Sequence, residues 1–211
     1  MIDPLLPLLS LGGIAVFALS GALLAAQLNQ TFVTACFFAL LTGVGGGTIR
    51  DVMLDAPVFW LVDPLVAPII LISAAAVWIT PAKLWEGRLL EWADAAGLAA
   101  FSTLGAGKAL AYGVEPVPAM ILGVITGCAG GMLRDVVAGV PSILMRPDLY
   151  VTPSALAAVT AAIMMLCGID ETLALLVGSV VGFTMRAAAL MWSLQLPAYT
   201  RASKPEADPP Q

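Results

Sequence analysis

Seven runs of about twenty largely apolar residues dominate this chain, at roughly 5–28, 32–54, 65–82, 91–112, 117–139, 152–169 and 172–194. A helix rises 1.5 Å per residue, so such runs match the ~30 Å hydrocarbon core of a bilayer. In hydrocarbon every backbone N–H and C=O must be satisfied within the protein, which leaves only helices or a closed barrel, and the run length selects helices. The expected fold class is therefore all-α integral membrane, with seven transmembrane helices. Composition agrees: 60% of the residues are apolar and 11% charged, against about 25% charged in soluble domains. The first run has no basic flank and is too long for a signal peptide, so it is read as a retained helix. The last segment, 195–211, mixes Pro197, Pro205, Pro209 and Pro210 with charges and is expected to be a disordered tail.

The side chains present exclude several chemistries. The chain has no histidine, which removes Ser–His and Cys–His catalysis, His-ligated zinc and rhomboid-like proteolysis. Cys36, Cys128 and Cys167 are scattered through apolar runs without metal-ligand spacing, so no metal site, cofactor or enzymatic activity is expected. The seventh run, 172–194, holds no lysine for a retinal Schiff base. Nine basic residues against fourteen acidic ones leave no patch for nucleic acid. Arg50 and Lys108 fall on the N-terminal side of the membrane, whereas Lys83, Arg88, Arg134, Arg146, Arg186, Arg201 and Lys204 fall on the other. The basic excess marks the cytoplasmic side. The expected topology in the cell inner membrane thus has the N-terminus outside and the C-terminus in the cytoplasm.

The chain also repeats itself. TGVGGGTIRDV from Thr42 returns as TGCAGGMLRDV from Thr126, a shift of 84 residues, and at that shift Phe17, Gly21, Ala25 and Pro57 meet Phe101, Gly105, Ala109 and Pro141. Each copy holds three runs. Because three is odd, the second copy must enter the bilayer from the opposite face, giving two inverted three-helix repeats. The expected division is 1–90 for the first repeat, 91–170 for the second and 171–194 for a seventh helix outside the duplication. Inverted repeats with glycine-interrupted helices point to a transport site between the halves.

The glycines sit in corresponding places, Gly43, Gly45, Gly46 and Gly47 in the second run and Gly127, Gly130 and Gly131 in the fifth. Two readings stand side by side. Clustered glycine favours local unwinding, which would free carbonyl oxygens able to replace the hydration shell of a monovalent cation. The spacing Gly43-xxx-Gly47 and Gly127-xxx-Gly131 equally suits close helix packing. Each cluster is followed by an arginine–aspartate pair. Charges inside a span usually face the protein interior or a water path, so Arg50 and Arg134 are read as facing the pathway, with snorkelling to the surface as the other option. Asp51 and Asp135 are read as members of structural ion pairs. Thr48 joins the pathway residues. Lys108 either snorkels to the external interface or lines the outer vestibule, and Arg186 is expected to snorkel at the cytoplasmic end.

The paired GGGTIRDV and GGMLRDV segments, the SGA and LGA motifs one run earlier and PVFW after the first glycine cluster resemble the bacterial TRIC-type family, the trimeric intracellular cation channels, also known as a glycine-transporter-domain family. The resemblance covers residues 5–194. It implies a homotrimer in the lipid bilayer with one pore per protomer, selective for potassium and other monovalent cations. It also implies seven spans in a 3+3+1 arrangement, with the second and fifth kinked at Gly45, Gly46, Gly47, Gly130 and Gly131. Ala129 stands where the first copy has Gly45, so a milder second kink is expected. The Lys-Glu-Val lipid-binding segment of animal members is absent. The alternative function is secondary transport of a small amino acid such as glycine, with Arg50 or Arg134 clamping its carboxylate.

Overall fold

The computed structural model describes residues 5–85, 87–145 and 148–196. Most of the proposed tail, and the basic residues Arg146, Arg201 and Lys204, therefore lie outside the described residues. Among the described residues the regular structure is eight α-helices, α1 (Leu5–Gln27), α2 (Phe32–Met53), α3 (Phe59–Val62), α4 (Val66–Ile79), α5 (Leu89–Ala111), α6 (Pro116–Ala138), α7 (Val151–Leu166) and α8 (Glu171–Trp192), with short 3-10 turns at Ala82–Trp85 and Ile143–Met145. Four of them, α1, α2, α6 and α8, are long and apolar enough to cross a membrane, while α4 and α7 are shorter apolar helices of 14 and 16 residues. The run expected at 65–82 stops early because Pro81 follows Thr80, the residue that caps α4. The run expected at 152–169 stops at a turn in which Gly168 takes φ 79°, a backbone conformation that favours glycine.

Helix starts and stops follow local chemistry. The Thr31 hydroxyl accepts from the Thr34 amide at the start of α2, and the Asp170 carboxylate accepts from the Leu173 amide at the start of α8. Gly139, at φ 67°, ends α6.

The centre of the bundle is the pair α1 and α5. Helix α1 packs against α2, α4 and α5, while α5 packs against α1, α6, α7 and α8. Their buried faces carry Ile14, Phe17, Ala18 and Leu23 opposite Leu98 and Phe101. The contacts between the halves are reciprocal under the 84-residue shift. The Phe17 and Phe101 rings lie 5.3 Å apart, and a Cβ added at Gly13 would meet the Phe101 ring just as one added at Gly97 would meet the Phe17 ring.

Glycine also explains how α2 and α6 cross. A Cβ on Gly46 would overlap the Thr126 carbonyl oxygen, and one on Gly130 would stand 2.5 Å from the Thr42 carbonyl oxygen. Both glycine clusters lie within unbroken α-helix. The expected unwinding is therefore replaced by its alternative: the missing side chains let two backbones meet, and the helical carbonyls keep their own partners. Away from this interior the surface is apolar, with Val33, Leu71, Ile72, Ile121, Val136 and Val180 all exposed, as expected where the solvent is lipid.

Candidate functional site

Asp51 sits near the C-terminal end of α2, fully buried and fully engaged. Its Oδ1 accepts from Arg50 Nε at 2.7 Å and from Lys108 Nζ at 2.8 Å, and its Oδ2 accepts from the Phe59 amide at 2.8 Å. Asp135 repeats the pattern on α6: Oδ1 takes Arg134 Nε at 2.9 Å and Oδ2 takes the Ile143 amide at 2.9 Å. Each aspartate therefore does two jobs. It neutralises the arginine before it and holds the start of the next short helical segment. An adjacent Arg-Asp pair can do this because the long guanidinium arm folds back on its neighbour while the second oxygen reaches eight residues ahead.

The surroundings of the two arginines break the symmetry. Arg134 is 1% exposed. Besides Asp135 it donates through Nη1 to Asp94 Oδ1 at 3.0 Å on α5 and to Ser20 Oγ at 3.0 Å on α1. Asp94 stands where the first copy has Ser10, and Ser20 where the second has Leu104, so the repeat gives no hint of either contact. Among the described residues Arg50 makes one hydrogen bond, through Nε, and its guanidinium carbon lies 5.6 Å from the Phe59 ring centre. In place of a second carboxylate it has a second cation beside it, Lys108, whose counterpart is Leu24. Lys108 does not simply snorkel: it is held by Asp51 and ties α5 to α2.

Two cavities open at these pairs. One of about 390 Å³ is lined by Arg50, Lys108, Phe59, Asp63, Glu171, residues of the N-terminal end of α1 and residues of the C-terminal end of α5. The other, about 160 Å³, is lined by Arg134, Asp135, Arg88, Glu91, the C-terminal end of α1 and the N-terminal end of α5. They lie at opposite ends of α1 and α5, and the α2–α6 crossing lies between the two pairs. Gly45, Gly46 and Gly130 belong to this crossing, whereas Gly47 faces the Phe59 ring and Gly131 faces Tyr150 and Asp94; none of the five lines either cavity. Thr48 also lies off both cavities, where its hydroxyl donates to the Val44 carbonyl and accepts from Trp60 Nε1 at 3.0 Å.

Sequence reasoning missed Asp94 and Tyr150 and misplaced Arg186. Asp94 was legible as a charge inside a span. Arg186 is 1% exposed rather than snorkelling. It donates to the Leu149 carbonyl at 2.6 Å and lies over the Tyr150 ring at 5.4 Å, behind Arg134. Among the described residues no cluster of His, Cys, Asp or Glu is arranged to hold a metal ion.

Comparison with known proteins supplies the context. The family described as "Glycine transporter" matches residues 7–82 and again 91–166, one match for each copy of the repeat. A UPF0126 membrane protein of Vibrio cholerae is 38% identical over 200 residues, covering 92% of this chain and 83% of its own. The UPF0126 inner membrane protein YadS of Escherichia coli K12 is 36% identical over 195 residues, covering 90% and 94%. The TRIC trimeric intracellular cation channel orthologue from Rhodobacter sphaeroides superposes with a TM-score of 0.84 at 35% identity, covering 91% of this chain and all of that one. The chain belongs to the TRIC family. A second solved structure, a prokaryotic TRIC channel, shares the fold with a TM-score of 0.82 at 24% identity.

Proposed function

We propose that this TRIC protein is a channel for monovalent cations, chiefly potassium, in the cell inner membrane, with a pathway inside each protomer of a homotrimer. The observation that carries this reading is the pair of cavities at opposite ends of α1 and α5, one reaching Arg50 and the other Arg134 and Asp135. The relative from Rhodobacter sphaeroides, a trimeric cation channel at 35% identity, supports it.

In this reading α1, α2, α4, α5, α6, α7 and α8 are the seven spans and α3 lies at the membrane surface. The segments 1–90 and 91–170 form repeats inverted about an axis in the membrane plane, and 171–194 is the added helix. The N-terminus faces outward and the C-terminus the cytoplasm. Arg50 and Lys108 stand at one mouth and Arg134 at the other, with Gly45, Gly46, Gly47, Thr48, Gly130 and Gly131 along the stretch between them. Asp51 and Asp135 hold the mouths in shape. The α2–α6 crossing is too tight for an ion, so conduction requires these helices to part. Their glycines suit that role, because a contact of backbone on backbone has no interlocked side chains to disengage.

The test is purified protein in planar bilayers under a potassium gradient. Ohmic unitary currents reversing at the potassium potential are expected. Saturable uptake of labelled glycine into proteoliposomes without unitary current would replace the channel by the amino-acid transport reading.

A further inference from the structure

The two arginines of the duplication differ in one respect that permeation of cations does not explain. Arg134 has its Nε and Nη1 engaged, its Nη2 lies 2.8 Å from Asp135 Oδ1, and two carboxylates face it. Among the described residues Arg50 donates through Nε alone, which leaves both terminal nitrogens unused, and its side chain lines the larger of the two cavities. Asp51 cannot take up this spare capacity, since both its oxygens already accept from Arg50, Lys108 and the Phe59 amide. Arg50 and Lys108 thus share the single carboxylate of Asp51. The cavity walls include Leu6, Leu11, Phe101 and Leu104, and apolar walls strengthen electrostatic attraction by lowering the local dielectric. The Phe59 ring beside the guanidinium helps to fix its plane.

A planar fork of unused N–H donors beside an ammonium is the arrangement that recognises oxyanions with two parallel hydrogen bonds. We propose that Arg50 and Lys108 form a binding site for a phosphate-type oxyanion, either free inorganic phosphate or the phosphodiester of a membrane phospholipid. Asp63 and Glu171 stand in the same walls and set its limits. The Asp63 Oδ1 accepts from the Leu65 amide, and Glu171 lies exposed in the first turn of α8. The anion must therefore seat on the terminal nitrogens of Arg50. A bound anion offsets the charge of Arg50, whose carboxylate partner Asp51 is shared with Lys108. The Arg134 end needs no such ligand, because Asp94 already occupies the equivalent place.

Binding is measured without any current, so its failure leaves the channel reading standing. Purified, delipidated protein in detergent is titrated with inorganic phosphate at constant ionic strength, with chloride as the control, and the thermal midpoint is followed. A ligand that binds only the folded state raises that midpoint. The expected result is a rise with phosphate and none with chloride in the unaltered protein and in Lys83→Gln, an exposed position that lines neither cavity, and no rise in Arg50→Gln. Lys108→Met provides the same test should Arg50→Gln fail to fold; its side chain is 26% exposed, and at least a tenfold loss of apparent affinity is expected. A parallel arm adds phosphatidylglycerol or phosphatidylcholine micelles in place of phosphate. A response to phosphate alone assigns the free anion, and a response to both lipids assigns the phosphodiester. An equal response in Arg50→Gln and the unaltered protein, or none to any phosphate compound, overturns the site.

Discussion

Asp94 shows how much one side chain can decide in an apolar interior. It is fully buried on α5 and accepts from Arg134. Removing one partner of a buried ion pair typically costs about 3–5 kcal/mol, because the other charge is left without compensation. Asp135 remains to offset Arg134, so Asp94→Asn is expected at the lower end, about 3 kcal/mol, read as a fall in the thermal midpoint of the purified protein. Ser20→Ala removes one neutral acceptor from the same guanidinium and should cost about 1 kcal/mol. A loss no larger for Asp94→Asn than for Ser20→Ala would mean that Asp135 alone satisfies Arg134. The Arg-Asp pairs themselves were legible in the sequence, being charges inside apolar runs and present twice. Their asymmetry was not, because Ser10 and Asp94 occupy equivalent positions and only packing reveals that the second carries a charge toward Arg134.

At the scale of the element, glycine has different meanings along these helices. Gly46 meets the Thr126 carbonyl oxygen, whereas Gly12, on the exposed face of α1, has nothing within 4 Å of where a Cβ would stand. Gly46→Ala must therefore push α2 from α6, a change of the overpacking kind that costs about 1–3 kcal/mol. Gly12→Ala should be neutral or stabilise α1 by up to about 1 kcal/mol, the helix-propensity difference. Thermal midpoints of the two variants, compared side by side, check this; equal values would remove the close crossing from the account. The spacing of these glycines is compatible with both unwinding and close approach. Neither local propensity nor charge could choose between them, since the choice depends on which backbone lies opposite.

For the whole molecule, the halves meet through equivalent residues, Phe17 on Phe101 and Gly46 beside the Thr126 carbonyl, yet the surroundings of the two Arg-Asp pairs are electrostatically unlike. Substitutions at the shared contacts should act alike. Thr42→Val and Thr126→Val each remove a hydroxyl bonded to the carbonyl four residues earlier, at 2.7 and 2.6 Å, so their effects on stability should agree within about 0.5 kcal/mol. Substitutions at the Arg-Asp pairs should not. Arg50→Gln leaves Asp51 with Lys108, whereas Arg134→Gln leaves Asp94 and Asp135 facing each other without their shared cation, so the second variant should be the less stable. Accessibility labelling of single cysteines at the chain termini tests orientation: an outward N-terminus and a cytoplasmic C-terminus are expected, and labelling of both from one side would exclude an odd number of spans.

Apolar run length, the 84-residue shift and the two Arg-Asp pairs were enough by themselves to indicate a helical membrane protein built by duplication, because the bilayer forbids unsatisfied backbone and makes an intramembrane charge costly. Tertiary structure alone decided that α2 and α6 stay helical where they cross, that Lys108 shares Asp51, and that Arg134 is saturated while Arg50 is not. Those outcomes depend on which groups face one another across helices far apart in sequence, and a hydrogen bond or a steric overlap exists only once both partners have been placed.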